Sequence, residues 1–204
     1  ARALGQPAPD APRMLAWLAL EDGDAAHAEA LARAGLAAFP RDAPLLHLLG
    51  KALKAAGAYP AAHAALVDAA AAGEDPGILV SLGAVCIDLG RAAEAREHLQ
   101  RAIAGGQDTA AAWDNLGLAL RELRDHDGAA RAFERAVTLD PTLTFALSNL
   151  VNTLRDVCRW DEAEAREAEL LGRRAGEGED PGWGPFAVAL RTTEAQQLRL
   201  ARAW

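Results

Sequence analysis

Two asparagines, Asn115 and Asn149, lie 34 residues apart in the chain. An asparagine side chain offers both a hydrogen-bond donor and a hydrogen-bond acceptor, so it can pair with the backbone of an extended peptide. Arg121 and Arg155 occupy matching places in the same register, and guanidinium groups pair well with acidic groups of a ligand. These residue types at this spacing indicate recognition of a peptide.

Catalytic and metal-binding patterns are missing from the sequence. The five histidines form no H-E-x-x-H motif and no metal-ligand spacing, and we interpret them as solvated helix residues: His27, His47, His63, His98 and His126. Cys86 and Cys158 form no C-x-x-C pair, which favours two free, buried thiols in a reducing compartment. No catalytic residue, no metal site and no cofactor is predicted.

Composition excludes some classes of partner. The net charge is −8 and the chain has few Lys residues among its 21 basic ones, whereas nucleic-acid binding requires basic clusters. No apolar run approaches the length of a membrane span, so we expect a cytoplasmic protein that binds neither nucleic acid nor membrane. Because the chain begins at Ala1 and its only methionine is Met14, we expect it to be part of a longer protein.

Small residues recur with one period along the chain. Gly50, Gly83 and Gly117 are 33 and 34 residues apart. A second series has spacings of 34, 33, 34 and 34 residues: Ala28, Ala62, Ala95, Ala129 and Ala163. Such a period indicates stacked helical pairs, each of which must bury its apolar face against its neighbours. The predicted fold is therefore all-α, an α-solenoid of about five helix–turn–helix repeats followed by a C-terminal loop and helix.

The period also predicts how the chain is divided. The intervals are a lead-in at 1–8, repeats at 9–42, 43–75, 76–109, 110–143 and 144–177, and a linker with a C-terminal helix at 178–204. Pro12 stands where repeat one should have a bulky residue, so we expect the first helix to begin late. In repeat five, Val151 replaces the small glycine and Cys158 replaces the glycine of the turn.

The fourth repeat resembles the tetratricopeptide repeat (TPR), whose pattern is W-x2-L-G-x2-Y…A-x3-F…P. Trp113, Leu116 and Gly117 begin the match, and Ala129 and Phe133 continue it in the second helix. The one departure is a leucine, at position 120, where the family has tyrosine. The resemblance implies that the first helices of the repeats line a concave groove that binds extended peptides.

By the repeat register, the groove has candidate residues in four repeats. The candidates are Lys51, Lys54, Ser81, Asp114, Asn115, Arg121, Ser148, Asn149, Asn152 and Arg155, with His47, Ala84, Asp88 and Leu118 at neighbouring places. Asn115 and Asn149 should stack one repeat apart along the groove. The alternative, that these are ordinary polar surface residues, stays open.

The C-terminal part carries a narrower resemblance. The segment S-N-L-V-N at 148–152 resembles the repeats of O-GlcNAc transferase-like (SPINDLY-type) glycosyltransferases, which hold substrate backbone with an asparagine ladder. V-C-R-W at 157–160 and the segment 185–204 are similar to the end of the repeat array and the linker to the catalytic region in bacterial members. The resemblance implies that two glycosyltransferase lobes follow Trp204.

Taken together, these patterns predict a protein- or peptide-binding module without enzymatic activity of its own. The resemblance makes it the substrate-recognition part of a glycosyltransferase. The alternative is a stand-alone scaffold or oligomerisation domain, with a homodimer as its simplest form.

Overall fold

The computed structural model describes residues 9–73 and 75–176, with side chains as far as Leu171. This part of the chain forms ten α-helices and no strands: α1 Asp10–Glu21, α2 Ala25–Ala38, α3 Ala43–Ala55, α4 Tyr59–Ala72, α5 Pro76–Asp88, α6 Ala92–Ala104, α7 Ala110–Glu122, α8 His126–Leu139, α9 Thr144–Asp156 and α10 Trp160–Gly176. The prediction of an all-α helical-repeat fold is confirmed. The predicted lead-in at 1–8 and the linker with its helix at 178–204 lie outside the described residues.

Five of the ten helices in the described part of the chain begin after a residue whose side chain caps the first turn. Asp42 accepts a hydrogen bond from the backbone N–H of Leu45 at 2.9 Å, and Asp125 accepts one from Gly128 at 2.9 Å. Thr109 caps α7 in the same way. Because the first N–H groups of a helix have no intrahelical acceptor, these caps stabilise the starts of the helices that carry them.

The first helix does not begin late, so the prediction made from Pro12 was wrong. The helix α1 begins at Asp10, and Pro12 lies within its first turn. Proline is tolerated there because the N–H group that it lacks would have had no acceptor. Pro12 instead helps to close α1 on α2: a Cβ atom added to Gly35 would lie 2.9 Å from the Cβ atom of Pro12.

The first helices of the repeats form one layer of the solenoid. In sequence order α1 packs on α3, α3 on α5 and α5 on α7, while each second helix packs between its own first helix and the next one. We call the exposed side of the layer formed by α1, α3, α5, α7 and α9 the inner face. None of the helices within the described residues combines the length and the apolar composition that crossing a bilayer requires.

The glycines of the period bring two helices of one repeat together. A Cβ atom on Gly50 or Gly83 would lie 2.5 Å from the side chain of Leu66 or Leu99, and one on Gly117 would lie 2.5 Å from the ring of Phe133. These three large side chains are fully buried and occupy the same place in repeats two, three and four. The absence of a side chain at the glycine is therefore what admits the large residue opposite.

Repeat five reverses this arrangement. Val151 is fully buried at the place of the glycine, and Glu167 stands where Phe133 stands in repeat four. Glu167 is only 4% exposed and accepts a hydrogen bond from Nη2 of Arg155 at 2.7 Å. The carboxylate is thus directed toward a cation, and the valine supplies the apolar volume that the aromatic ring supplies elsewhere.

The two thiols differ in exposure. Both cysteines are free, and Cys86 is buried, but Cys158 is exposed. The prediction of two buried thiols was therefore wrong for Cys158. Cys158 lies in the turn between α9 and α10, with a backbone φ of 59°, and its side chain is exposed to solvent.

Candidate functional site

Polar side chains on the inner face connect one repeat to the next. His47 of α3 is hydrogen-bonded through Nε2 to Oγ of Ser81 of α5, at 2.7 Å. The two residues are 34 positions apart, so they belong to neighbouring first helices. Ser81 was predicted as a groove residue, and the structure uses its hydroxyl to join repeats two and three.

A second connection joins α7 to α9 and uses three predicted groove residues. The amide nitrogen of Asn149 donates to Oδ1 of Asp114 at 3.4 Å, and its amide oxygen accepts from Nη1 of Arg121 at 3.2 Å. Arg121 also stands over the ring of Phe133, with its Cζ atom 6.0 Å from the ring centroid. Both functional groups of the Asn149 amide are thus occupied by the repeat before it.

Asn115 occupies the equivalent place in α7 but lacks such partners. The residues that correspond to Asp114 and Arg121 one repeat earlier are Val80 and Ile87, which pack their apolar side chains against the core. Asn115 is half-buried and makes no side-chain hydrogen bond within the described residues. Its amide therefore keeps one donor group and one acceptor group available on the inner face.

Two further predicted residues present free polar groups. Asn152 of α9 and Lys51 of α3 are exposed, and neither forms a side-chain hydrogen bond or an ion pair with a described residue. Lys51 lies one turn before Lys54, so both lysines are on the inner side of the same helix. The inner face therefore combines a positive charge in repeat two with free amides in repeats four and five.

The remaining predicted residues are engaged within the protein. Lys54 forms an ion pair with Asp88 at 3.3 Å across repeats two and three. The hydroxyl of Ser148 donates to the backbone carbonyl of Thr144 at 3.0 Å. Arg155, predicted to pair with acidic ligand groups, instead pairs with the buried Glu167, which stands on the second helix of the same repeat.

Burial shifts the ionisation of two inner-face groups. Desolvation raises the pKa of Asp114, although the hydrogen bond from Asn149 and the charge of Arg121 favour the carboxylate. Desolvation and the positive charge of Lys51 lower the pKa of His47, against the influence of Asp75. A neutral imidazole at neutral pH keeps the hydrogen bond between His47 and Ser81 free of a net charge.

The interpretation of the histidines as solvated residues was wrong for His47, which is half-buried and hydrogen-bonded to Ser81. It was also wrong for His63, His98 and His126, which are half-buried; the Nδ1 atoms of His98 and His126 are buried without a hydrogen-bond partner in the described part of the chain. The 34-residue separation from Ser81 could have revealed the role of His47. No comparable signal marks His98.

Sequence reasoning also missed a convergence of three potential metal ligands. His63 of α4, Cys86 of α5 and Glu94 of α6 each offer one ligand atom, and these atoms all lie within 4.8 Å of one another. The three residues belong to three helices and fall at irregular separations, so no motif could have indicated them. The stacking of repeats two and three alone brings them together.

Comparison with known proteins agrees with the repeat architecture. Residues 76–142 match the tetratricopeptide repeat model. This segment spans repeat three and nearly all of repeat four, including the TPR-like residues from Trp113 to Phe133. No curated protein sequence matches the chain.

Solved structures with a similar helical-repeat fold include the following three. The crystal structure of MamA is 23% identical with a TM-score of 0.70, and the match covers 79% of this chain and 95% of MamA. PilF from Pseudomonas aeruginosa is 19% identical with a TM-score of 0.76, covering 95% and 83%. YrrB, described as a TPR protein with an unusual peptide-binding site, is 19% identical with a TM-score of 0.63, covering 92% and 88%.

Proposed function

We propose that this chain binds an extended protein segment on its inner face, with Asn115 as the residue that holds the ligand backbone. The observation that carries the proposal is the contrast between two equivalent asparagines. The side-chain amide of Asn149 is hydrogen-bonded to Asp114 and Arg121, while the side-chain amide of Asn115 has no partner among the described residues. The donor and the acceptor of this half-buried amide are therefore free to pair with the backbone of a ligand.

The composition of the inner face supports this placement. All three asparagines of the chain, Asn115, Asn149 and Asn152, belong to the first helices of repeats four and five. Lys51 adds an exposed cation in repeat two. A bound segment would pair its backbone with the amides of Asn115 and Asn152 and place an acidic group near Lys51. That YrrB is described as having a peptide-binding site gives the proposal a precedent within the fold.

The proposal is tested with a randomised dodecapeptide display library selected on the chain. Affinities of the selected peptides are then measured by fluorescence anisotropy. Asn115→Ala should weaken binding about 3- to 10-fold, the value of one or two net hydrogen bonds, and should leave the unfolding midpoint unchanged. Asn149→Ala should lower stability as well, because it removes the hydrogen bonds between α7 and α9.

Gln100→Ala is the matched control for this experiment. Gln100 is an exposed amide on α6, a second helix outside the inner face, so its removal should leave affinity unchanged. Equal affinity of the wild type and the Asn115→Ala variant for every selected peptide would refute the proposal that Asn115 holds the ligand on the inner face.

A narrower form of the proposal makes the chain the substrate-recognition part of an O-GlcNAc transferase-like glycosyltransferase. It is supported by S-N-L-V-N at 148–152 and V-C-R-W at 157–160, and by asparagines at the ladder place in repeats four and five. The gene sequence that follows residue 204 tests it: two glycosyltransferase lobes are expected there. A stop codon would leave the binding module without this role.

One observation favours the alternative of a scaffold that self-associates. The helix α1 exposes four large apolar side chains, with between 44% and 57% of each accessible: Met14, Leu15, Trp17 and Leu18. Sedimentation velocity distinguishes the two functions. A dimer that Trp17→Ser dissociates, together with no peptide binding, would favour assembly over peptide recognition.

A further inference from the structure

We propose that His63, Cys86 and Glu94 form a binding site for a divalent zinc ion at the junction of repeats two and three. The three side chains come from α4, α5 and α6, and their ligand atoms lie within 4.8 Å of one another. Ligands of one tetrahedral zinc ion lie roughly 3.3–3.8 Å apart, given Zn–S distances near 2.3 Å and Zn–N and Zn–O distances of about 2.0–2.2 Å. Side-chain movements of about 1 Å would therefore close the site.

A cation already joins two of these residues. Nε and Nη2 of Arg91 donate to the two carboxylate oxygens of Glu94, at 2.8 and 2.6 Å, and Nη1 of Arg91 lies 3.3 Å from Nε2 of His63. Because a guanidinium group can only donate, Nε2 of His63 must present a lone pair to it. The lone pair of Nε2 and the carboxylate of Glu94 are thus directed at one positive group, as they would be at a metal ion.

The third ligand lies beneath this pair. Cys86 is a free thiol with no exposed surface, on the side of α5 that packs against α6. His63 and Glu94 are half-buried, so an ion would meet these two side chains first and reach the buried sulfur past them. The side chain of Arg91 is 42% exposed, which allows it to turn outward when an ion takes its place.

The donor set indicates the class of ion. One imidazole nitrogen, one thiolate and one carboxylate match the ligands of zinc, whereas magnesium and calcium prefer oxygen alone. On binding, the thiol proton of Cys86 leaves to the solvent, and the two negative ligands balance the charge of the ion. Three protein ligands leave the fourth tetrahedral position for a water molecule.

The geometry gives the ion a structural consequence. His63 lies on the second helix of repeat two, while Cys86 and Glu94 lie on the first and second helices of repeat three. A bound ion would link three consecutive helices and so couple neighbouring repeats, in addition to the packing, the hydrogen bonds and the Lys54–Asp88 ion pair that already join them. Ligand binding to the folded state alone raises the apparent stability, so zinc should raise the unfolding midpoint of the chain.

Cobalt(II) titration of the full chain, in a thiol-free reductant, tests the site directly. The wild type should bind one equivalent and develop a thiolate-to-cobalt charge-transfer band, which zinc then abolishes by displacement. Cys86→Ala should remove the band, and His63→Gln and Glu94→Gln should weaken binding at least about tenfold. These last two positions are half-buried, so circular dichroism should show that both variants remain folded.

Two controls and one gain-of-binding variant make the test specific. Cys158→Ala and His27→Gln change an exposed cysteine and an exposed histidine far from the cluster, and both should bind as the wild type does. Arg91→Gln removes the competing cation and should strengthen binding several-fold. A wild type without the band, a band that survives Cys86→Ala, or weaker binding by Arg91→Gln would each overturn the proposal.

Discussion

At the scale of single residues, one glycine determines whether two helices can close on each other. A Cβ atom on Gly117 would lie 2.5 and 2.6 Å from Cε1 and Cδ1 of Phe133. The ring is fully buried and is too rigid to bend away. The gain in helix propensity when alanine replaces glycine, about 1 kcal/mol, must therefore be weighed against an enforced movement of the ring or of α7.

We expect Gly117→Ala to lower the free energy of unfolding by about 1–3 kcal/mol, the usual cost of overpacking a core. Urea denaturation measures the effect. In a Phe133→Ala background the clash is gone, so the same substitution should be neutral or should stabilise the chain by up to about 1 kcal/mol. Equal destabilisation in both backgrounds would show that the ring is not the cause.

At the scale of elements, the turn within each repeat uses one left-handed residue. Gly23, Gly57 and Gly90 have φ values of 76°, 74° and 71° in repeats one to three. Repeats four and five place Arg124 and Cys158 there, with φ values of 63° and 59°. An L-residue in this conformation is strained because its Cβ atom approaches the carbonyl oxygen, and glycine avoids that contact.

Replacing these two residues by glycine should therefore stabilise the chain. We expect Arg124→Gly to raise the free energy of unfolding by about 0.5–1 kcal/mol, because relief of the left-handed strain exceeds the added entropy of the unfolded chain. Cys158→Gly should act in the same direction. Thermal denaturation provides the measurement, and Gly90→Ala should shift the midpoint the opposite way. A destabilised Arg124→Gly variant would mean that the arginine side chain, not the backbone, matters at this turn.

The sequence could predict these helices and turns because the 33- to 34-residue period of small residues reflects the packing of the two helices within a repeat. The series of small residues required helix pairs, and Val151 was recognised as a departure from it. Contacts that depend on how helices and repeats stack were harder to predict from the sequence. In repeat five a valine replaces the small glycine and a glutamate replaces the large aromatic residue opposite it. The pairing of Arg155 with Glu167 depends on how α10 packs on α9, and the sequence spacing contains no information about that packing. Asn115 and Asn149 are equivalent in sequence and differ only through their neighbours.

The metal-ligand cluster was out of reach for the same reason. His63, Cys86 and Glu94 become neighbours through the stacking of two repeats, and each is unremarkable within its own helix. Pro12 shows the opposite error: its effect on a helix depends on the turn in which it falls, and the register of α1 was known only to within a few residues.

At the scale of the whole molecule, the buried residues between positions 9 and 171 form two main clusters. One extends from Ala16 to Val85 through repeats one to three, and the other from Cys86 to Leu170 through repeats three to five. The helix α5 contributes Leu82 to the first and Cys86 to the second. Because each repeat of a solenoid contacts only its neighbours, its stability is nearly a sum of local terms, and the two ends need not unfold together.

Leu66 and Phe133 test this independence, because they fill the same place in repeats two and four and both are fully buried. Each substitution by alanine should cost about 2–5 kcal/mol. Native-state hydrogen exchange should then reveal where that cost falls. Phe133→Ala should speed exchange mainly in α7, α8 and α9, and Leu66→Ala mainly in α3, α4 and α5. An equal loss of protection along all described helices in both variants would instead mean that the two clusters unfold as one unit. Zinc bound at the junction of repeats two and three should make the two exchange patterns more alike, because it strengthens the link between the clusters.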